Sequence, residues 1–314
     1  MRLNRLPRVT TKNHAFQPGR QAPADPIGIP GTILMTSILR STLAALAFTS
    51  TVWLATTPAA ADDVDTCGKA SGDEAIAACA RAINSGLYSG RQLADLFHSR
   101  CFEWNKKQES DKAIADCNQA IRLEPNDTNA FFNRGYAYKA KGRYDRAIED
   151  YDQAIRLNPN HADAINNRGN TYNSKGQYDR AIEDYDRAIR LNPSDADAFS
   201  NRGVAHKAKG QYDRAFEDFN QAIRLNPNDA ITFYNRGSAY GDKGQYDRAI
   251  EDYNQAIRLN PNYATAFYNR GASWARKNDL QRALADFKKF SELSPSDPDG
   301  PKAVERVTKA LSGR

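Results

Sequence analysis

Between residues 94 and 297 the apolar positions recur at helical spacing in paired blocks, and each pair returns after 34 residues. In the block TNAFFNRGYAYKAKG, residues 128–142, Phe131, Gly135 and Tyr138 fall on one helical face. In the block RYDRAIEDYDQAIRLNP, residues 143–159, Ala147, Ile148, Tyr151, Ala154 and Ile155 share a face, with acids and arginines opposite. Gly142 lies between the blocks, where a helix end favours a residue that accepts positive φ. Pro159 stops the second block, because proline lacks an N–H and clashes with the preceding turn. The pattern predicts helix, tight turn, helix, stop. The triplet Asn-Arg-Gly marks the period at Gly135, Gly169, Gly203, Gly237 and Gly271.

These residues resemble the tetratricopeptide repeat. That family places an aromatic at position 4 of its unit, a small residue at 8, an aromatic at 11, Ala at 20, an aromatic at 24, Ala at 27 and Pro at 32. With a unit starting at residue 128, the chain has Phe131, Gly135, Tyr138, Ala147, Tyr151, Ala154 and Pro159 there. Six units fit without a gap, at 94–127, 128–161, 162–195, 196–229, 230–263 and 264–297. The resemblance implies an all-α, right-handed superhelical solenoid of antiparallel helix pairs. A degenerate hairpin is expected over 62–93, and a capping helix over 298–314, where Ala303, Val304, Val307, Ala310 and Leu311 form an apolar stripe. The last full unit breaks the pattern once, with Phe290 where the others carry Ala.

Position 7, usually Leu in the family, is Arg in all six units: Arg100, Arg134, Arg168, Arg202, Arg236 and Arg270. Position 23 is Asp in the same six: Asp116, Asp150, Asp184, Asp218, Asp252 and Asp286. The degenerate hairpin lacks both, with Thr66 and Ala78 at the nearest equivalents. Joint presence and joint absence predict that the two charges pair; the alternative is that duplication copied two unrelated surface residues together.

The first 61 residues lack the period. Residues 35–61 read as a signal peptide: Arg40, an apolar run from Leu43 to Leu54, then Pro58-Ala59-Ala60-Ala61, with Asp62 as the expected mature start. Residues 1–34 read as an upstream extension before Met35. The expected location is the periplasm or the exterior. This leader also changes the charge argument. The chain holds 44 Lys plus Arg and 38 Asp plus Glu, of which residues 1–61 carry six and one. The remainder, with 38 and 37, is nearly neutral, so the basic balance is no argument for a nucleic-acid partner. The apolar run is too short for a comfortable membrane span.

All four cysteines fall near the start of the expected mature chain. Cys101 and Cys117 occupy positions 8 and 24 of the first full unit, where the two helices meet, and Cys67 and Cys79 are their equivalents in the shortened hairpin before it. An even set in an exported chain reads as two disulfides, one per hairpin. The alternative is four reduced, buried small residues. A zinc site is disfavoured, because C-x₂-C spacing is absent and only His98 is near.

The chain shows no catalytic motif, phosphate-cradling loop or metal-ligand spacing, and no enzyme activity or cofactor is expected. In the family the first helices line a concave groove. Position 6 there is Asn in five units, Asn133, Asn167, Asn201, Asn235 and Asn269, a row whose amides could hold an extended peptide backbone; the alternative is a framework residue, common in the family and repeated by duplication alone. It resembles the asparagine ladder in the repeat domain of the O-linked N-acetylglucosamine transferases. Phe132, Tyr136, Tyr234 and Tyr268 are candidate aromatic contacts in the same groove. The expected function is a non-enzymatic scaffold that binds a peptide or partner protein on the concave face. The alternative is a structural subunit of an envelope assembly, associating through its ends or its convex face.

Overall fold

The computed structural model describes residues 57–313, with side chains from Asp62 onward. The expectations for residues 1–34, and for the leader up to residue 56, lie outside the described residues. Fifteen helices follow one another. They are α1 Thr57–Lys69, α2 Asp73–Asn84, α3 Gly90–Lys106, α4 Ser110–Leu123, α5 Thr128–Ala140, α6 Tyr144–Leu157, α7 Ala162–Ser174, α8 Tyr178–Leu191, α9 Ala196–Ala208, α10 Tyr212–Leu225, α11 Ala230–Asp242, α12 Tyr246–Leu259, α13 Ala264–Arg276, α14 Leu280–Leu293 and α15 Asp299–Leu311. The described chain is all-helical, and the helices pair as the period predicts. Asp62, the expected mature start, falls inside α1, and α3 begins at Gly90, four residues before the unit boundary drawn at 94.

The turn inside each pair has one residue in the left-handed region. In α5–α6 this is Gly142, at φ 70°. The same place is taken by Gln108 at φ 60° and Asn278 at φ 65° in the first and last full hairpins, where amide side chains tolerate what glycine does elsewhere. Between pairs, Asp127, Asp195 and Asp229 accept backbone N–H bonds and start α5, α9 and α11.

Within a pair, packing depends on a small residue against a ring. Gly203 lies so close to Phe219 that a Cβ there would come within 2.8 Å of the ring. Phe219, Tyr151, Tyr185 and Tyr253 are fully buried at this contact. In the first full hairpin the glycine and the ring are both replaced by cysteine, and a Cys101–Cys117 disulfide bridges α3 and α4. Cys67–Cys79 bridges α1 and α2 in the same way. The expected pairing of all four cysteines is therefore present.

Successive pairs stack with unequal layers. Among the described residues, first helices α3, α5, α7, α9, α11 and α13 touch one another in sequence, whereas consecutive second helices make no comparable contact. The first helices therefore form the inner, concave layer. At the C-terminal end α15 takes the place of a further hairpin. Ala303 and Val307 pack on Phe287, and Phe290, which stands where earlier units have Ala, is buried.

Candidate functional site

Charges tie the helices together and decide which polar groups remain on the concave face. In every full unit the position-7 arginine grips the position-23 aspartate of the same hairpin through Nε and Nη2. For Arg134 and Asp150 the two bonds are 2.8 and 2.6 Å long, and for Arg202 and Asp218 they are 3.0 and 2.6 Å. The aspartates are buried and the arginines mostly so. Burial pushes the Asp150 carboxyl upward, and the Arg134 guanidinium opposes that shift. The expected pairing holds along the whole solenoid.

The arginine does more than the sequence reading foresaw. From α5 onward its remaining Nη1 reaches back to the preceding unit. Arg134 donates to Asn118 at 2.7 Å, Arg168 to Asp152 at 2.6 Å and Arg270 to Asn254 at 2.7 Å. Each guanidinium thus joins three helices. A second ladder also went unread: Lys141, Lys175, Lys209, Lys243 and Lys277 pair with Asp111, Asp145, Asp179, Asp213 and Asp247 of the unit before. Its signal was available as Lys and Asp columns of period 34, offset by 30 residues.

The asparagine row behaves differently from an open ladder. Asn133, Asn201 and Asn269 are buried, and each amide bonds to the residue 35 positions earlier. The partners are His98 Nε2 at 2.9 Å, Asn166 Oδ1 at 3.3 Å and the Tyr234 hydroxyl at 3.0 Å. Where that earlier residue is Phe132, no acceptor exists, and Asn167 donates instead to the Asp163 carbonyl of its own helix. Ahead of Asn235 stands Ser200, whose hydroxyl already accepts from Thr232. Three of the five asparagines therefore join adjacent repeats, which leaves Asn167 and Asn235 half-buried.

The aromatic candidates also sit deeper than expected. Phe132 packs on Tyr151 and His161, with ring centres 6.0 and 5.1 Å away. Tyr234 is buried against Tyr253 and Tyr263. Tyr268 lies 5.3 Å from Phe287 and 5.0 Å from Phe290. Tyr136 is half-buried, and its phenol is pushed up by burial.

Carboxylates gather at the N-terminal ends of the inner helices α7, α9 and α11. Asp163 and Asp197 are exposed, and Asp195 and Asp229 cap the helices beside them. Among the described residues none of these four takes part in an ion pair, in contrast to the acids of both ladders. Crowding by the neighbouring helix ends partly desolvates the Asp197 carboxyl although its surface is open to water; this, then Asp195 and Asp229, pushes it up to about 6, a shift that solvent tempers. Asp195 is raised by burial and by Asp163, against the pull of two backbone N–H groups. Near the other end of the inner helices Lys139 is lowered to about 8 by burial. Lys207 is lowered by burial but held by Asp242 at 3.2 Å and by the Ser238 hydroxyl at 2.7 Å.

Among the described residues no cluster of three or more His, Cys, Asp or Glu could hold a metal ion. No described helix is long and apolar enough to cross a membrane.

Family profiles agree with this architecture. A TPR repeat profile matches residues 105–142, 169–210 and 237–278. Two tetratricopeptide repeat profiles match 128–161 and 196–229, and 150–183 and 219–251. These ranges run without a break from 105 to 278, and the chain belongs to the tetratricopeptide repeat family, whose members typically serve as protein–protein interaction scaffolds. Among solved structures, a tetratricopeptide repeat protein from Parabacteroides merdae superposes with a TM-score of 0.65 at 21% identity, over 80% of this chain and 98% of that one. The APC/C hetero-tetramer Cut9–Hcn1 gives 0.63 at 17% identity, over 80% of this chain and 56% of that one. Pseudomonas aeruginosa pilF gives 0.59 at 16%, over 69% and 97%. At these identities the likeness concerns the fold alone. No curated protein matches the chain.

Proposed function

We propose that this protein is a non-enzymatic scaffold whose concave face receives an extended, basic segment of a partner protein. One observation carries the reading. The two charge ladders of the solenoid are internally neutralised, while Asp163, Asp195, Asp197 and Asp229 stand without a counter-ion at the ends of the inner helices. Partial desolvation, then the like charges of Asp195 and Asp229, raise the Asp197 carboxyl, and a cation from outside offsets the repulsion. Asn167 and Asn235 supply side-chain amides beside this edge for a peptide backbone.

We further propose that the protein works outside the cytosol, in the periplasm or as a secreted chain. Two disulfides support this, because such bonds persist in oxidising compartments. Assembly through the C-terminal end finds less support, since Lys302, Glu305, Arg306 and Lys309 give α15 a polar, exposed outer face.

The test is fluorescence anisotropy with two labelled extended peptides, one rich in Lys and Arg and one rich in Glu, against the folded chain. Preference for the basic peptide, reduced by added salt, supports the reading. Equal binding of both peptides, or binding of neither, removes it.

A further inference from the structure

In most full hairpins an aromatic ring seals the junction between units. Trp104, Tyr138, Tyr172, Tyr240 and Trp274 occupy the same place on α3, α5, α7, α11 and α13. A cation near the start of the following helix lies over four of these rings, while beside Tyr138 the corresponding Arg146 pairs with Glu149. Lys112 is 4.5 Å from the Trp104 ring centre, Arg180 4.2 Å from Tyr172, Arg248 5.6 Å from Tyr240 and Arg282 4.6 Å from Trp274. The ring also meets the preceding second helix, as where Tyr240 stacks on Phe216 with centres 4.3 Å apart.

On α9 the place belongs to His206. Its imidazole is buried and drawn aside, with Nδ1 2.7 Å from Gln211 Oε1 and Nε2 3.9 Å from Asp218 Oδ2. Arg214, the counterpart of the stacked cations, lies over no ring, and among the described residues it makes no hydrogen bond or ion pair. A cleft of about 270 Å³ opens at this junction, between α8, α9 and α10. Ile182, Arg214 and Glu217 line it beside His206 and the Arg202–Asp186 pair.

We propose that this cleft is a binding site for an aromatic ring bearing a hydrogen-bond donor, a phenol or an indole, supplied from outside the chain. The ring would lie against Arg214, where the chain's own ring lies in other hairpins. The chemistry selects it in three ways. An unstacked guanidinium favours the face of a π-system. Ile182 offers an apolar wall, while the Glu217 and Asp186 carboxylates have lone pairs for an O–H or N–H donor. A simple anion would meet Asp186, Glu217 and Asp218, and a simple cation would meet Arg202 and Arg214, so a neutral ring suits the mixed lining best. The volume lies below the roughly 300–1,000 Å³ of drug-sized pockets, which fits a group the size of one side chain. This site is separate from the concave face and does not depend on the function proposed for it.

The experiment is ¹H–¹³C NMR on the full chain, following the Ile182 methyl groups and the His206 ring during titration with indole and with the peptide Gly-Gly-Trp-Gly-Gly. Saturable shifts at both residues are expected. His206→Tyr restores the ring found in neighbouring hairpins, so it should fold normally and abolish the response. Arg214→Gln should weaken binding by about two- to fivefold. Tighter binding of the peptide assigns the ring to a partner's side chain; tighter binding of indole assigns it to a free small molecule. An unchanged wild-type spectrum at millimolar probe, or equal binding by folded His206→Tyr protein, overturns the proposal.

Discussion

Arg168 holds Asp184 by two parallel N–H···O bonds of 2.9 and 2.6 Å across one hairpin, on a carboxylate almost shut off from water. The same guanidinium reaches Asp152 in the hairpin before, so one side chain stabilises both the fold of a repeat and its stacking on the one before it.

Removing one partner of this pair should be costly. Arg168→Met leaves Asp184 buried without its cation, and a loss of about 3 kcal/mol is expected. The double variant Arg168→Met with Asp184→Leu should recover a large part of it, because no lone charge remains. Urea denaturation of the four members of the double-mutant cycle measures this. Equal losses for the single and double variants would show that packing, and not charge, dominates the site.

Gly203→Ala should destabilise the chain despite the better helix propensity of alanine, which is worth about 1 kcal/mol. The new Cβ would come within 2.8 Å of the Phe219 ring, and overpacking of this kind costs about 1–3 kcal/mol. Phe219→Leu combined with Gly203→Ala should be more stable than Gly203→Ala alone, as read by thermal melting.

Reduction should act locally. Opening Cys101–Cys117 removes a cross-link worth about 3 kcal/mol in the chain-entropy description and leaves small side chains where other hairpins have a ring. Hydrogen exchange should accelerate through α1–α4 and hardly change in α9–α14, because each repeat depends mainly on its neighbours. Uniform acceleration along the chain would contradict this.

Binding at the concave edge should depend on charge and pH. Asp195→Asn, Asp197→Asn and Asp229→Asn together keep the helix caps, since Asn caps as well as Asp, and should weaken a basic peptide by about tenfold. Asp197 binds its proton more tightly in the folded chain, with a value near 6 against 3.8 for the free group. Its contribution to folding is therefore full below about pH 4 and lost as pH rises through about 6, while affinity for a cation moves the other way and falls as pH drops through about 6. Anisotropy titrations at pH 7.5 and pH 5 check the second half, and denaturation across the same range checks the first.

Asn201→Ala tests the revised role of the asparagine row. Its bond to Asn166 spans two repeats inside a buried contact, so the melting temperature should fall, corresponding to about 1 kcal/mol. Asn167→Ala, whose amide bonds only to its own helix, should leave the melting temperature nearly unchanged.

What could be read from residues alone followed from how local each decision is. Helix pairs, turn glycines and the Arg–Asp pairs depend on spacings within one repeat, and period 34 displays them many times. The state of each asparagine depends instead on a residue in another repeat. Asn133 and Asn269 are engaged because His98 and Tyr234 offer acceptors, and Asn167 is not because Phe132 cannot. The depth of the aromatic candidates was not legible for a related reason: a ring on the inner face can bend into the seam and pack there, as Tyr268 does on Phe290. The break at His206 was visible as one odd residue in a column of rings. Its meaning required seeing Arg214 left without a stacking partner.

The unequal layers have a mechanical consequence. Inner helices meet through packed side chains, which resist compression, whereas consecutive outer helices lack comparable packing, and lysine–aspartate contacts and guanidinium bridges tie each outer helix only to the inner helix that follows it. Such a coil is stiff toward further closing and compliant toward uncurling, with a restoring force set partly by ionic strength. Its stiffness is thereby tunable, and salt that loosens these ionic ties should lengthen the molecule in solution scattering without melting a single helix.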